Sequence, residues 1–239
     1  MSDGFPNKPR ILRGAFVEFG LSVPPLAVVF QFNPVQLTRN HALTFGFPGV
    51  PGPTPAGGVP AAVPQRTLRQ CRGEFTDLLD LQKQQLVTVQ DQTIGFDIRL
   101  DATDRLDTGD AVTQEFGIGP QLSTLELMVT PKRESQLGAV VDALLGASKG
   151  FSFARSPNPP MILFIFGRKR VLPVNITTMS ITETEFSADL NPLRATVSVN
   201  LTVIEGNSVP ALNSKAETEA MAVRNVATIA DIANVVVPG

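Results

Sequence analysis

The sequence has no tryptophan and no tyrosine, and it carries one cysteine and one histidine. It therefore lacks the amphipathic rings with which carbohydrate and nucleic-acid sites commonly combine stacking with a hydrogen bond. Its fifteen phenylalanines suit cores and subunit interfaces instead. A lone Cys71 excludes an intrachain disulfide framework, and Cys71 with a lone His41 excludes every zinc arrangement built from Cys and His ligands. A reducing cytoplasm is the natural setting for such a chain.

Charge is also scarce, at 18% of residues with a net of −2, and a surface of this kind favours association. Phosphate binding needs a clustered basic surface, and the one tight cluster, Arg168, Lys169 and Arg170, fits a hairpin turn, so no nucleic-acid partner is expected. No stretch approaches the ~20 apolar residues that span a bilayer. The opening MSDGFPNKPR lacks the apolar run of a secretory signal. Neither membrane insertion nor classical secretion is expected, and no internal repeat is evident. At 239 residues the chain can bury a sizeable core, as one large β-rich domain or two small ones.

What is present is mostly period two. Ile11–Phe19 is β-favouring, and Leu26, Val28, Phe30 and Phe32 alternate with Ala27, Val29 and Gln31, so an antiparallel pair is expected here, ended by Asn33-Pro34. A third strand is expected over Val35–Phe45, followed by a Pro/Gly-rich loop over residues 46–65. Thr76–Val89 fits an amphipathic helix in its leucines and a strand in its β-branched end. Ile94, Phe96, Ile98 and Leu100 alternate with Gly95, Asp97, Arg99 and Asp101, predicting a half-buried strand. Helices are expected from near Pro120 and from Glu134, the latter gathering Leu137, Val140, Val141, Leu144 and Leu145 on one face.

Met161–Gly167 reads as a strand covered on both faces, and Val171–Phe186 as the next strand. In Leu193–Glu205, the side chains of Leu193, Ala195, Val197, Val199, Leu201 and Val203 share one face, with Arg194, Thr196, Ser198, Asn200 and Thr202 on the other. A strand this long with an uncharged polar face suits the wall of a barrel or tube. Ser214 and Glu217 have capping-box spacing, and Ala216, Ala220, Val223, Ala227 and Ala230 form a small-residue helical face able to dock on a neighbour.

Chemistry is hard to find. Asp101, Asp104, Asp107 and Asp110 recur every three residues and could offer oxygen ligands to calcium, but an EF-hand needs alternate residues and a distal Glu. The simpler reading is a loop leaving a strand, its carboxylates bonding local N–H groups. His41 lacks a nucleophile pattern nearby, Cys71 between Gln70 and Arg72 lacks an acid-base companion, and Gly117-Ile118-Gly119 lacks the third glycine of a dinucleotide loop. No catalytic residue, cofactor or metal ligand is assigned.

Against this background, Pro25–His41 (PLAVVFQFNPVQLTRNH) resembles the N-terminal strand signature of the contractile injection system tube protein family, through Phe30, Phe32, Asn33 and Pro34. IGFDIRLDATD, PPMILFIFGRKRVLPVNITTMSITETEF and LRATVSVNLTVIE resemble later blocks of that family in order and spacing. The resemblance covers about Lys8 to Glu205. It implies a mainly β (α+β) fold, a tube-protein-like β-barrel or sandwich over residues 1–206 with one or two short helices, and a C-terminal helical tail over 207–239. The usual LysM domain is missing, so peptidoglycan binding is not implied.

The implied role is non-enzymatic: a ring-forming baseplate adaptor, a hexamer, joining the spike hub to the inner tube of a phage-tail-like particle assembled in the cytoplasm. Such a particle is either released or membrane-associated. Interface candidates are Phe30, Phe32, Asn33, Pro34, Phe164, Phe166, Ala220, Val223 and Ala227. The alternatives are an inner-tube or tube-terminating subunit and, from another class, a small-ligand or metal-binding β-barrel using the Asp101–Asp110 stretch.

Overall fold

The computed structural model describes residues 12–20, 26–49, 64–71, 73–131, 158–206 and 208–225. The chain divides into two compact units, one made of residues up to Arg39 and from Thr93 onward, the other of Asn40–Gln92. The stretch expected as one domain is thus interrupted by a smaller unit. The expected helix from Glu134, residues 50–63 of the Pro/Gly-rich loop, and the chain from Val226 lie outside the described residues.

The larger unit is built on one antiparallel sheet. Its strands are β1 (Ala15–Glu18), β2 (Ala27–Val29), β3 (Leu37–Asn40), β6 (Thr93–Asp101), β7 (Ile162–Ile165), β8 (Val171–Phe186) and β9 (Pro192–Val203). They lie in the order β2-β1-β7-β8-β9-β6-β3. The expected antiparallel pairing of the first two strands is present, with Phe16 opposite Val28. The fold is mainly β with helices, as expected from the period-two segments.

The sheet is strongly curled. Between β2 and β6 lie five strand spacings, ~24 Å in a flat sheet. Yet Gln31, two residues beyond β2, accepts a hydrogen bond at its Oε1 from the Asp101 N–H at the end of β6, at 2.9 Å. On the concave side the Phe96 ring of β6 lies 5.2 Å from Phe164 of β7 and 6.0 Å from Phe16 of β1. Phe30, fully buried, is 5.1 Å from Phe16 and 5.7 Å from Phe96. The curl follows from the strand order: the two edge strands, β2 and β3, are joined by only Phe30–Gln36, too short to cross a flat seven-stranded sheet except fully extended. Ile94, Ile98, Leu100, Ile162, Val197, Val199 and Leu201 complete the core, each nearly or fully buried.

Helices close the curl. α2 (Thr103–Asp107), α3 (Ala111–Phe116) and α4 (Gly119–Val129) follow β6 directly. The α4 helix starts with Pro120 in its first turn, as expected, and sends Leu122, Leu125 and Met128 into the core. Gly117 adopts φ 59°, and a Cβ there would lie 2.2 Å from the Pro192 carbonyl oxygen, so only glycine allows α3 to turn into α4 against β9. The stretch expected to be a loop at 101–110 is half helical, as α2, and its end starts the next helix: Asp110 caps α3 by accepting from the Thr113 N–H at 3.1 Å.

The terminal helix α5 spans Val209–Asn225 and packs against β8. It starts five residues before Ser214, so the Ser214/Glu217 spacing marks no cap: the Leu212 N–H already donates to the Ser208 carbonyl at 2.9 Å. Pro210 in the first turn is the signal that locates the start.

In the smaller unit, β4 (Leu43–Gly46) pairs with β5 (Leu86–Val89), and α1 (Leu78–Gln84) precedes β5. Thr76–Val89 thus satisfies both of its readings in turn. The single strand expected over Val35–Phe45 is instead two, β3 and β4, in different sheets. Phe47 stacks on Phe75 at 5.4 Å, Phe47 bridges Arg66, and Arg66 grips Glu74 at 2.6 and 3.2 Å. Cys71 is buried.

Candidate functional site

Two surfaces of the larger unit emerge from the strand pattern. The first is the convex face of β8, β9 and β6. Register alone puts Thr182, Thr196 and Arg99 in one row, Ser180, Ser198 and Asp97 in the next, then Thr178, Asn200 and Gly95. Inward rows, such as Met179, Val199 and Phe96, alternate with them. The polar rows are bonded to one another: Ser198 Oγ donates to Asp97 Oδ1 at 2.6 Å, and Asn200 Nδ2 to Thr178 Oγ1 at 2.8 Å. Gly95 leaves the space Asn200 occupies, since a Cβ there would lie 2.8 Å from Asn200 Oδ1. The result is a hydroxyl- and amide-covered wall with its core on the other side.

The wall ends in a charged knot. Arg194 Nε bonds Asp101 Oδ2 at 2.8 Å and its Nη1 bonds Glu185 Oε1 at 2.6 Å. Desolvation acts to raise the Asp101 carboxyl, but bonds from the Thr103 hydroxyl and N–H and the Arg194 charge outweigh it and hold it below its usual value. Asp110 is likewise held down, chiefly by the Thr113 hydroxyl. Asp101 and Asp110 are thereby engaged in capping and pairing, with Asp104 and Asp107 on α2 between them. Among the described residues no three His, Cys, Asp or Glu side chains gather in a way that could hold a metal ion.

The second surface is a groove where the Phe30–Gln36 segment crosses the wall, lined by Phe32, Pro34, Val35, Arg13, Arg99 and Thr196 among others. Asn33 shapes it: its Oδ1 accepts from the Gly14 N–H at 2.9 Å and its Nδ2 donates to the Leu12 carbonyl at 2.8 Å. This pair stitches the segment after β2 to the start of β1. Phe32 remains 46% exposed and Val35 92%.

The interface candidates separate accordingly. Phe32, Asn33 and Pro34 share the groove, whereas Phe30 and Phe164, at 0% exposure, belong to the core and serve the fold. Phe166 is half-buried beside Phe164, with the Arg170 guanidinium 5.7 Å from its ring centroid. Ala220 and Val223 are exposed on α5, and Ala227 lies outside the described residues. The sequence pattern missed the ribbon of the smaller unit. There Leu43 faces Val89 and Phe45 faces Val87, and all four are about half exposed or more. Alternation within β4 and β5 carried that signal, hidden by their shortness. His41 is exposed beside this ribbon's start.

No family model matches the chain, and no curated protein sequence matches it.

Proposed function

We propose that the chain is a structural, ring-forming subunit, a baseplate adaptor joining spike hub and inner tube in a contractile injection system. The observation that carries this reading is the wall of β8, β9 and β6, whose polar side chains bond to one another across the strands, Asn200 to Thr178 and Ser198 to Asp97. A face of this kind suits the lining of a channel, because it wets evenly and its few charges, Asp97 and Arg99 in the rows and the Arg194 knot at their end, are of both signs. Exposed apolar side chains elsewhere, on the β4–β5 ribbon and on α5, support association with sister copies or neighbouring proteins. In this role the α5 helix clamps a neighbour through its outer face, which includes Val223 at 70% exposure.

Electron cryomicroscopy of the purified protein tests the reading directly. A closed ring, present once per particle, is the expected result; long stacks indicate an inner-tube subunit, and a monomer at every concentration refutes the assembly role. Deleting the chain after Gly206 is expected to leave a folded larger unit that incorporates poorly into rings; normal incorporation removes the clamp.

A further inference from the structure

Charge along the longest strand is segregated. Arg168, Lys169 and Arg170 stand immediately before β8, Glu183, Glu185 and Asp189 stand at or just beyond its far end, and Val171–Thr182 carries no charge. With 16 residues in the strand, the two groups are separated by roughly 50 Å of extended chain. Part of each group is already used: Lys169 pairs with Glu217 at 3.1 Å, and Glu185 with Arg194. Among the described residues, Arg168 at one end and Glu183 and Asp189 at the other have no ion-pair partner.

Each end also has an apolar feature, and the two are opposite in shape. At the basic end, the turn before β8 and the first half of α5 flank an open pocket of about 610 Å³, its lining mixed: Val171, Val209 and Ala220 on the apolar side, Arg168 and the paired Lys169 and Glu217 on the charged side. At the acidic end, the β8–β9 turn carries Leu190, 78% exposed and held at φ 63°, next to the half-exposed Phe186. A left-handed leucine costs roughly 1–2 kcal/mol that glycine would avoid, so the turn holds a large apolar side chain in solvent at an energetic cost.

We infer that the Leu190 turn of one copy seats in the cavity between α5 and the β7–β8 turn of the next, with Asp189 and Glu183 meeting Arg168. The occupant is a second copy of this chain because the chain itself supplies both halves: an open, part-apolar pocket whose unpaired charge is Arg168, and an acid-flanked apolar knob. Since the halves sit at opposite ends of β8, the contact is head-to-tail, the kind that closes into a ring or extends into a file. This inference rests on the assembly reading and assigns it a specific joint.

Sedimentation velocity of the full chain over a concentration series tests it. Leu190→Gly removes the knob and relieves the backbone, so it should keep or raise the melting temperature while weakening assembly at least tenfold, as expected for losing one buried leucine. Asp189→Arg should weaken assembly similarly, and adding Arg168→Asp in the same chain should restore it. Raised salt should weaken the wild-type contact. If the wild type assembles and L190G and D189R assemble at the same concentration, the joint is wrong and the ring reading stands. Failure of the double charge swap to recover assembly also overturns the joint. A wild type that never assembles overturns both.

Discussion

Replacing Phe164 by alanine should be among the most damaging single changes in the core, and its size follows from where the ring lies. Phe164 is fully buried in β7, with centroids of Phe16, Phe30, Phe96 and Phe166 at 5.8, 6.4, 5.2 and 5.8 Å. These neighbours come from β1, the segment after β2, β6 and β7's own end, so the ring fills the space that the curled sheet encloses. Truncating a buried phenylalanine costs about 3–5 kcal/mol, and loss of edge and stacking geometry adds to the cavity term. Against a total stability of roughly 5–15 kcal/mol, that is a large share.

Urea unfolding of F164A followed by circular dichroism should move the midpoint down by about 1–5 M, taking a slope of about 1–3 kcal/mol/M. Phe166→Ala is the internal comparison. Phe166 is half-buried and shared with Arg170, whose own guanidinium is pushed down mainly by burial and then by the nearby Arg39 charge. Its truncation should cost less than half as much. A cost for F164A below about 1 kcal/mol, or one smaller than that of F166A, would refute the argument that the sheet curls around this ring.

Val199→Asp places a carboxylate between Phe96 and Met179 on the inward rows and should unfold the larger unit at neutral pH, with partial recovery in acid as the group neutralises; calorimetry at two pH values checks it. Gly117→Ala should cost about 1–3 kcal/mol or more, because its Cβ meets Pro192; Gly109→Ala, also at positive φ but with open space around it, should cost about 1–2 kcal/mol, a contrast that thermal melts resolve. Asp101 and Asp110 are both lowered in the folded state, so their contribution is present above the ordinary carboxylate value near ~3.9 and is lost as pH falls through their folded values. Urea midpoints should therefore stay level from about pH 5 to 8 and fall below about pH 4, and Asp110→Asn should flatten that fall.

Long, regular alternation was readable without coordinates. β6 and β9 match their apolar spacing because side chains on a pleated strand must point to opposite faces, and one oily face sets the register; the span of β8 was readable, but not the bulge between Ile176 and Thr178 that shifts its inward positions. Shorter or competing signals were not readable in the same way. Val35–Phe45 reads as one strand, yet the chain leaves the sheet near Asn40 to form a separate unit, and nothing in eleven residues of β-favouring sequence encodes which partner strand each half will meet. The Ser214/Glu217 spacing imitates a cap, but cap chemistry works only where the preceding backbone leaves the helix, and here it does not.

For the candidate surfaces the division is similar. Composition and alternation alone determined that this chain has a broad polar face, a phenylalanine-rich core and little charge, because those properties belong to residues and their spacing. Tertiary structure decided which phenylalanines are core and which are reachable: Phe30 and Phe32 are two residues apart on one motif, and the curl of the sheet buries the first and exposes the second. It also decided that Asn33 binds the start of β1, that Gln31 reaches β6, and that a basic turn and an acidic one stand at opposite ends of β8 beside a cavity and a knob. Those relations depend on strands distant in sequence meeting across a curled sheet, and long-range pairing is information that no local period contains.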